Sequence, residues 1–303
     1  MGYRQWIRDI SLVVGKGGGE GIELKGLKTY FDVLKTDTET PNKASVKIWN
    51  LNDDTAQKIK EEFDTVIIKA GYENNIGLIY DGGIIQVRYL RENSVDKVTH
   101  ILMGDGDEGY QFAIVKKTLS AGSTQKDIYD AAMEEFKKFD ITEGALPDNL
   151  EEFQLPRAKT MFRNARDIMR DICVTTGCSW SIQDGKLNII KLEKTLPDEA
   201  VVLSFDTGMV NPGPEQTTQG IKVRCLLNHE IKVGGRVKIE GEIAEAERGG
   251  KKDKPPAALA SDGIYRVVEC RYFGDSYNGR DWYCDIVGVA MDASGNTTTD
   301  RGY

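Results

Sequence analysis

The chain opens on a period of two. Residues 6–14 alternate apolar and polar side chains, and residues 22–24, 29–34 and 45–49 repeat the pattern with β-branched and aromatic residues. Alternation at that period buries one face of an extended segment and leaves the other outside, so these stretches read as strands. The glycine-rich run 15–21 reads as a flexible hairpin tip between the first two. At Asn52-Asp53-Asp54 the period changes. Side chains able to cap free helix N–H groups precede Ala56, Ile59 and Phe63, which share one face of a short helix ending at Phe63. Strand spacing returns over 65–70, 76–80, 84–91, 97–103 and 110–116, broken by turns rich in Gly and Asp. Many short strands of this kind predict a barrel or sandwich, with the single helix capping an open side.

The middle of the chain follows a helical period. Ser123 is placed to cap a helix through Lys138 with Ile128, Ala131, Ala132, Met133 and Phe136 as its buried stripe. Residues 140–155 are acidic, contain proline and read as a looser connection. A second helix is predicted from about Ala158 to Thr176, carrying Met161, Ala165, Ile168, Met169 and Ile172, with Gly177 at the C-cap position. Segments 178–183 and 186–191 flank Asp184-Gly185, a strong hairpin signal. Strands resume at 201–205, 220–227, 236–239, 264–272 and 282–291. Between them, residues 240–262 are charged and rich in Gly and Pro, with too little apolar area to offset the entropy of ordering. They read as a flexible loop, and residues 292–303 as a tail of the same kind. The expected fold class is mainly β with an α+β insert: a β domain over 1–118, a helix–helix–hairpin insert over 119–199, and a β domain over 200–303.

Composition narrows the function classes. Lys plus Arg is 40 and Asp plus Glu 48, a net charge of −8, which argues against a dedicated nucleic-acid binder. A carboxylate-rich wall would instead let DNA slide past. No stretch approaches the ~18 apolar residues of a membrane span, so membrane insertion is not expected. Charges occupy the N-terminus where a signal peptide would place its apolar run, implying synthesis in the cytoplasm. Five cysteines, an odd number, read as reduced and buried.

Candidate chemistry is thin. The run 15–21 lacks the Gly-Lys-Ser/Thr ending of a phosphate loop, and the Gly-x-Gly at 104–106 leads into a predicted strand rather than a helix. Asp105, Asp107 and Glu108 lack the remaining ligands of a calcium loop. Cys173 and Cys178 have no matching second pair for zinc, since His100 and His229 are the only histidines. Cys270 and Cys284 are spaced to face each other across two C-terminal strands. Neither histidine has a nucleophile motif beside it, and Glu151-Glu152 reads as a solvated pair. No catalytic, cofactor or metal residue is therefore assigned.

Four segments carry a resemblance. They are Ala44-Ser-Val-Lys-Ile-Trp-Asn-Leu51 with Val66-Ile-Ile-Lys-Ala-Gly-Tyr72; Gly104-Asp-Gly-Asp-Glu-Gly-Tyr110 running through Lys117-Thr-Leu-Ser-Ala-Gly-Ser-Thr124; Cys225-Leu-Leu-Asn-His-Glu-Ile-Lys-Val-Gly-Gly-Arg-Val-Lys-Ile239; and Gly263-Ile-Tyr-Arg-Val-Val-Glu through Trp282. In this order, the sequence resembles the baseplate hub proteins of contractile-tailed bacteriophages, relatives of the hub part of type VI secretion spikes. It departs at His229, where the family usually has proline. The resemblance implies two tail-tube-like β-barrel domains per chain and a homotrimeric ring that matches the six-fold tube to the three-fold spike. The implied partners are tail tube protein, spike protein and other baseplate proteins, with DNA as transient cargo, and the implied place is the virion. The chain ends too early to hold the family's long β-helical spike. A distal-tail adaptor or tube initiator of the same β-architecture is the alternative, followed by a tail-associated cell-wall hydrolase.

Overall fold

A computed structural model describes residues 7–17, 21–244, 259–277 and 281–291. Strands β1 (Arg8–Gly15), β2 (Gly21–Leu24), β3 (Thr29–Thr36) and β4 (Lys43–Trp49) precede helix α1 (Asp53–Glu61). β5 (Thr65–Tyr72), β6 (Asn75–Arg91) and β7 (Lys97–Gly104) follow, then α2 (Asp107–Phe112), β8 (Ile114–Leu119), α3 (Gln125–Phe136) and β9 (Thr142–Glu143). Next come β10 (Lys159–Asn164), α4 (Ala165–Thr176), β11 (Cys178–Gln183) and β12 (Lys186–Lys191). The remaining strands are β13 (Val201–Leu203), β14 (Glu215–Gln216), β15 (Ile221–Leu226), β16 (Arg236–Ile239), β17 (Ile264–Asp275) and β18 (Trp282–Ala290). The molecule is mainly β, as the alternation predicts. No described helix is long and apolar enough to cross a membrane.

The chain divides into two compact units, the first formed by residues 1–36, 43–103 and 193–303. Here one 13-stranded sheet runs β14-β15-β18-β17-β3-β4-β7-β6-β5-β1-β2, with β13 and β16 branching from β17. Strands from both ends of the chain meet where β3 pairs antiparallel with β17, from Tyr30↔Asp275 to Thr36↔Glu269. β4, β15 and β18 bury every second side chain, so one face packs a continuous core that includes Phe31, Val46, Ile68, Val223, Tyr265 and Trp282. Trp282 ties that core together. Its indole meets Phe31 edge-on at 5.2 Å, and its Nε1 donates 3.0 Å to the Gly71 carbonyl. Gly274 makes room for it, because a Cβ there would lie 2.4 Å from the indole.

The second unit comprises residues 37–42 and 104–192. A two-stranded ribbon, β8 with β10, and a three-stranded sheet, β11-β12-β9, pack with α3 and α4 around Tyr129, Phe136, Met169 and Trp180. Thr124 and Asp127 cap α3 reciprocally, the Thr124 hydroxyl receiving the Asp127 N–H while the Asp127 carboxylate accepts the Thr124 N–H. Gly177 ends α4 in the left-handed conformation expected of it. Asp184 and Gly185, both at positive φ, make the β11–β12 turn.

Several boundaries differ from the sequence pattern. The strand expected over 110–116 begins only at Ile114, because Gly106 at φ 69° turns the chain into helix α2 (107–112), where a turn and the strand's start were expected. The helix expected from Ala158 starts only at Ala165, since residues 159–164 pair with β8. Thr124, not Ser123, is the cap of α3. The segments 76–80 and 84–91 are one 17-residue strand, β6. Gly15 pairs with Gly21 across the first hairpin. Residues 18–20 of that glycine run, 245–258 of the expected loop and 292–303 of the expected tail lie outside the described residues.

Candidate interaction surface

The residues that sequence reading weighed for chemistry occupy structural posts. The Asp105 carboxylate is fully buried and accepts the backbone N–H of Asp184 at 2.6 Å and of Gly185 at 2.9 Å. It therefore pins the β11–β12 turn, while Asp107 and Glu108 lie in the first turn of α2, where negative charge suits the helix dipole. Among the described residues no cluster of three His, Cys, Asp or Glu side chains is placed to hold a metal ion.

All five thiols are free and buried. Cys284 lies directly opposite Cys225, whereas Cys270 lies opposite Ile286, so the expected face-to-face pairing of Cys270 with Cys284 is corrected. Burial drives the Cys284 thiol well above its ordinary pKa, reinforced by hydrogen bonds with Cys225 and Cys270. Burial likewise raises Cys173 and Cys178. A thiol kept protonated is a poor nucleophile and a poor metal ligand. The His229 ring packs over Gly77, where a Cβ would come within 2.3 Å of Nδ1, and its Nε2 sits 2.9 Å from Asn75 Oδ1. Burial depresses its pKa. His100 is depressed by burial and by the neighbouring Lys47 and Arg88 cations. Both are neutral near pH 7, and neither lines the cleft described below.

What distinguishes the surface of the first unit is how differently two stretches of its sheet treat their charges. Across β15, β18, β17 and β3 the charges interlock. Arg224 grips Asp285 with two bonds of 2.6 and 2.8 Å, and Arg271 grips Asp32 with two of 2.8 and 2.5 Å. Both guanidinium groups also lie 5.3 Å from the Phe273 ring, which stacks obliquely on Tyr283. Paired, stacked and bidentate, these arginines stitch the strands together and leave little for a ligand.

The distal half of β6 is the opposite case. Its last pair with β5 is Thr65↔Gly83, and residues 84–91 run on beyond it. Ile85 is 56% exposed, Tyr89 and Leu90 are exposed as well, and Val95 in the following turn is 80% exposed. Among the described residues, Arg88 bonds only the neighbouring Gln86 and Arg91 has no ion pair. Helix α1 touches this arm through Tyr89, whose hydroxyl donates to the Ala56 carbonyl. Between them lies a cleft of about 540 Å³, floored by Leu51, Ala56 and Val98 and edged by Tyr89, Leu90 and Arg91. Its lining contains no histidine, cysteine or serine, and its one carboxylate, Asp53, is paired with Lys97 at 2.9 Å. Such a cleft can seat an apolar segment. A contiguous apolar stretch rimmed by unmatched charge marks a contact surface. The alternation over 84–91 gave a strand and no hint of this exposure, because periodicity does not show which neighbours a strand lacks.

A family model described as "Baseplate hub gp41" matches residues 19–249. No curated protein matches at a significant level. Among solved structures, a 43 kDa tail protein of prophage MuSo2 from Shewanella oneidensis superimposes with a TM-score of 0.61 at 9% identity, covering 93% of this chain and 98% of that one. A tail protein from Neisseria meningitidis gives 0.59 at 9% identity, covering 93% and 96%. A type VI secretion component of Escherichia coli, itself described as similar to the T4 phage tail proteins gp27 and gp5, gives 0.56 at 9% identity, covering 98% and 78%. Likeness at that identity establishes a shared fold.

Proposed function

The chain belongs to the baseplate hub gp41 family, and from that premise we propose that it forms the homotrimeric ring that joins the six-fold tail tube to the three-fold spike. Membership makes it a structural protein of the virion tail rather than an enzyme. The finer reading gives each chain two tube-like β halves, one from residues 1–118 and one from 200–303, so that three chains present six. The ring contacts the tube above, the spike below and other baseplate proteins around it, and DNA passes through at ejection without binding tightly. Synthesis is in the host cytoplasm before assembly.

The observation that carries this reading is the exposed arm of β6. The distal half of β6 keeps β7 as a neighbour but extends past its β5 partner, leaving an open edge and apolar side chains in water that a ring subunit covers with a neighbour. Negative-stain imaging of the purified protein at high concentration tests it. Three-fold rings with a central hole support the hub. Six-fold rings point instead to a distal-tail adaptor or tube initiator of the same architecture.

A further inference from the structure

The β6 arm has a counterpart elsewhere in the same unit. Strand β13 sits at the margin of the sheet, paired among the described strands only with β16. It runs within Asp198-Glu-Ala-Val-Val-Leu-Ser-Phe-Asp206, where Val202 and Phe205 are exposed apolar side chains. Asp198, Glu199 and Asp206 are exposed too, and none forms an ion pair among the described residues. This is the arm's composition with the sign reversed: two unmatched arginines beside Ile85 and Leu90 on one strand, unmatched carboxylates beside Val202 and Phe205 on the other. Five strands, β16, β17, β3, β4 and β7, stand between them in the sheet order. Elsewhere the same sheet matches Arg224 with Asp285 and Arg271 with Asp32.

We propose that the β6 arm of one copy lies edge to edge along the β13 margin of the next, Ile85 and Arg91 on one face of the arm and Leu90 and Arg88 on the other, so that the arginines reach Glu199 and Asp206 while the apolar side chains cover Val202 and Phe205. The inference rests on the ring reading above and names the surfaces that close the ring. The two patches differ, so the contact is head-to-tail: every copy gives an arm and receives one, the arrangement that generates a closed ring. A second copy is the occupant the charges favour, because each chain carries both signs of the pair. Complementary charge beside apolar area also fixes register and disfavours the arm-to-arm contact, in which arginines would oppose arginines.

Charge reversal provides the test. Sedimentation velocity compares wild type with Arg88→Glu/Arg91→Glu, with Glu199→Lys/Asp206→Lys, and with all four changes in one chain. Far-UV circular dichroism melts verify that folding is intact in each variant. Each paired reversal is expected to weaken self-association roughly tenfold or more, and the fourfold variant to recover most of it. If wild type assembles and a reversal leaves assembly unchanged, or the fourfold variant fails to recover, the proposal is overturned while the ring stands. Phe162→Glu serves as a rival, since Phe162 is 74% exposed on the β10 ribbon; dispersal by that change alone would move the interface there. A wild type that stays monomeric at every concentration would remove the ring and this contact together.

Discussion

The seam between β3 and β17, with the strands beside it, and the distal half of β6 are both solvent-facing parts of one sheet, yet they are built on opposite plans. Around the seam, Arg271 and Arg224 each hold a carboxylate on the neighbouring strand, and both lie against the Phe273 ring. On the β6 arm, apolar side chains face water and the arginines meet no carboxylate among the described residues. A surface that has satisfied itself holds its own fold together, and one that has not is made for something else to cover. Substitutions at the seam should therefore change stability, and substitutions on the arm should change association.

The largest expected effect lies on the buried side of the seam. Trp282→Ala removes the indole packed on Phe31 and its bond to Gly71, and should cost about 3–5 kcal/mol in denaturant unfolding. A loss below about 1 kcal/mol would mean that the two ends of the chain are held together elsewhere. On the exposed side, Asp285→Ala leaves Arg224 unpaired. With Arg224 nearly half exposed, screening limits the loss to about 1 kcal/mol, and added salt should shrink the difference between variant and wild type.

A smaller, pH-dependent effect belongs to the root of the arm. His229, against Asn75 and Gly77, has its pKa lowered by burial, so the folded state holds fewer protons than the unfolded chain. The associated stability is complete above the ordinary histidine pKa of about 6.5 and is lost as pH falls below it toward the depressed value. Melting temperatures measured downward from about pH 7.5 should fall, and His229→Gln should flatten that slope. His100, lowered in the same direction, contributes the remainder. Smallest of all, Ile85→Ser and Leu90→Ser should leave monomer stability within about 0.5 kcal/mol of wild type. A larger loss would show that the arm supports its own subunit.

Much of the fold was legible because the side-chain period is a direct record of burial. β4, β15 and β18 alternate in sequence and in exposure, and the stripe Ile128, Ala131, Ala132 and Phe136 is the buried face of α3. Where the reading slipped, non-local pairing outweighed the local pattern. Met161 and Ala165 stand four apart as on a helix, but Met161 belongs to β10, where pairing with β8 holds the chain extended. Helix α2 has no apolar stripe to read, and its Phe112 is left exposed. The contact surface was illegible for a different reason. Nothing in the alternating run Ile85-Gln-Val-Arg-Tyr-Leu90 states that pairing with β5 stops at Thr65, nor does the sequence around Val202 state that β13 ends up at a margin. Both depend on the order in which strands pair.

The β3–β17 seam also sets a timetable for synthesis. Its partners lie far apart along the chain, as the Arg271–Asp32 bond spans 239 residues, so the large sheet stays unfinished until β17 has left the ribosome. Every residue of the second unit has been made once residue 192 is added, while the rest is still being translated. During that interval β3 presents the open edge that β17 will later occupy, a template for pairing with the wrong chain. Translation between β3 and β17 thus governs how long an early strand stands unguarded, and slowing it there should raise aggregation more than slowing it after residue 275.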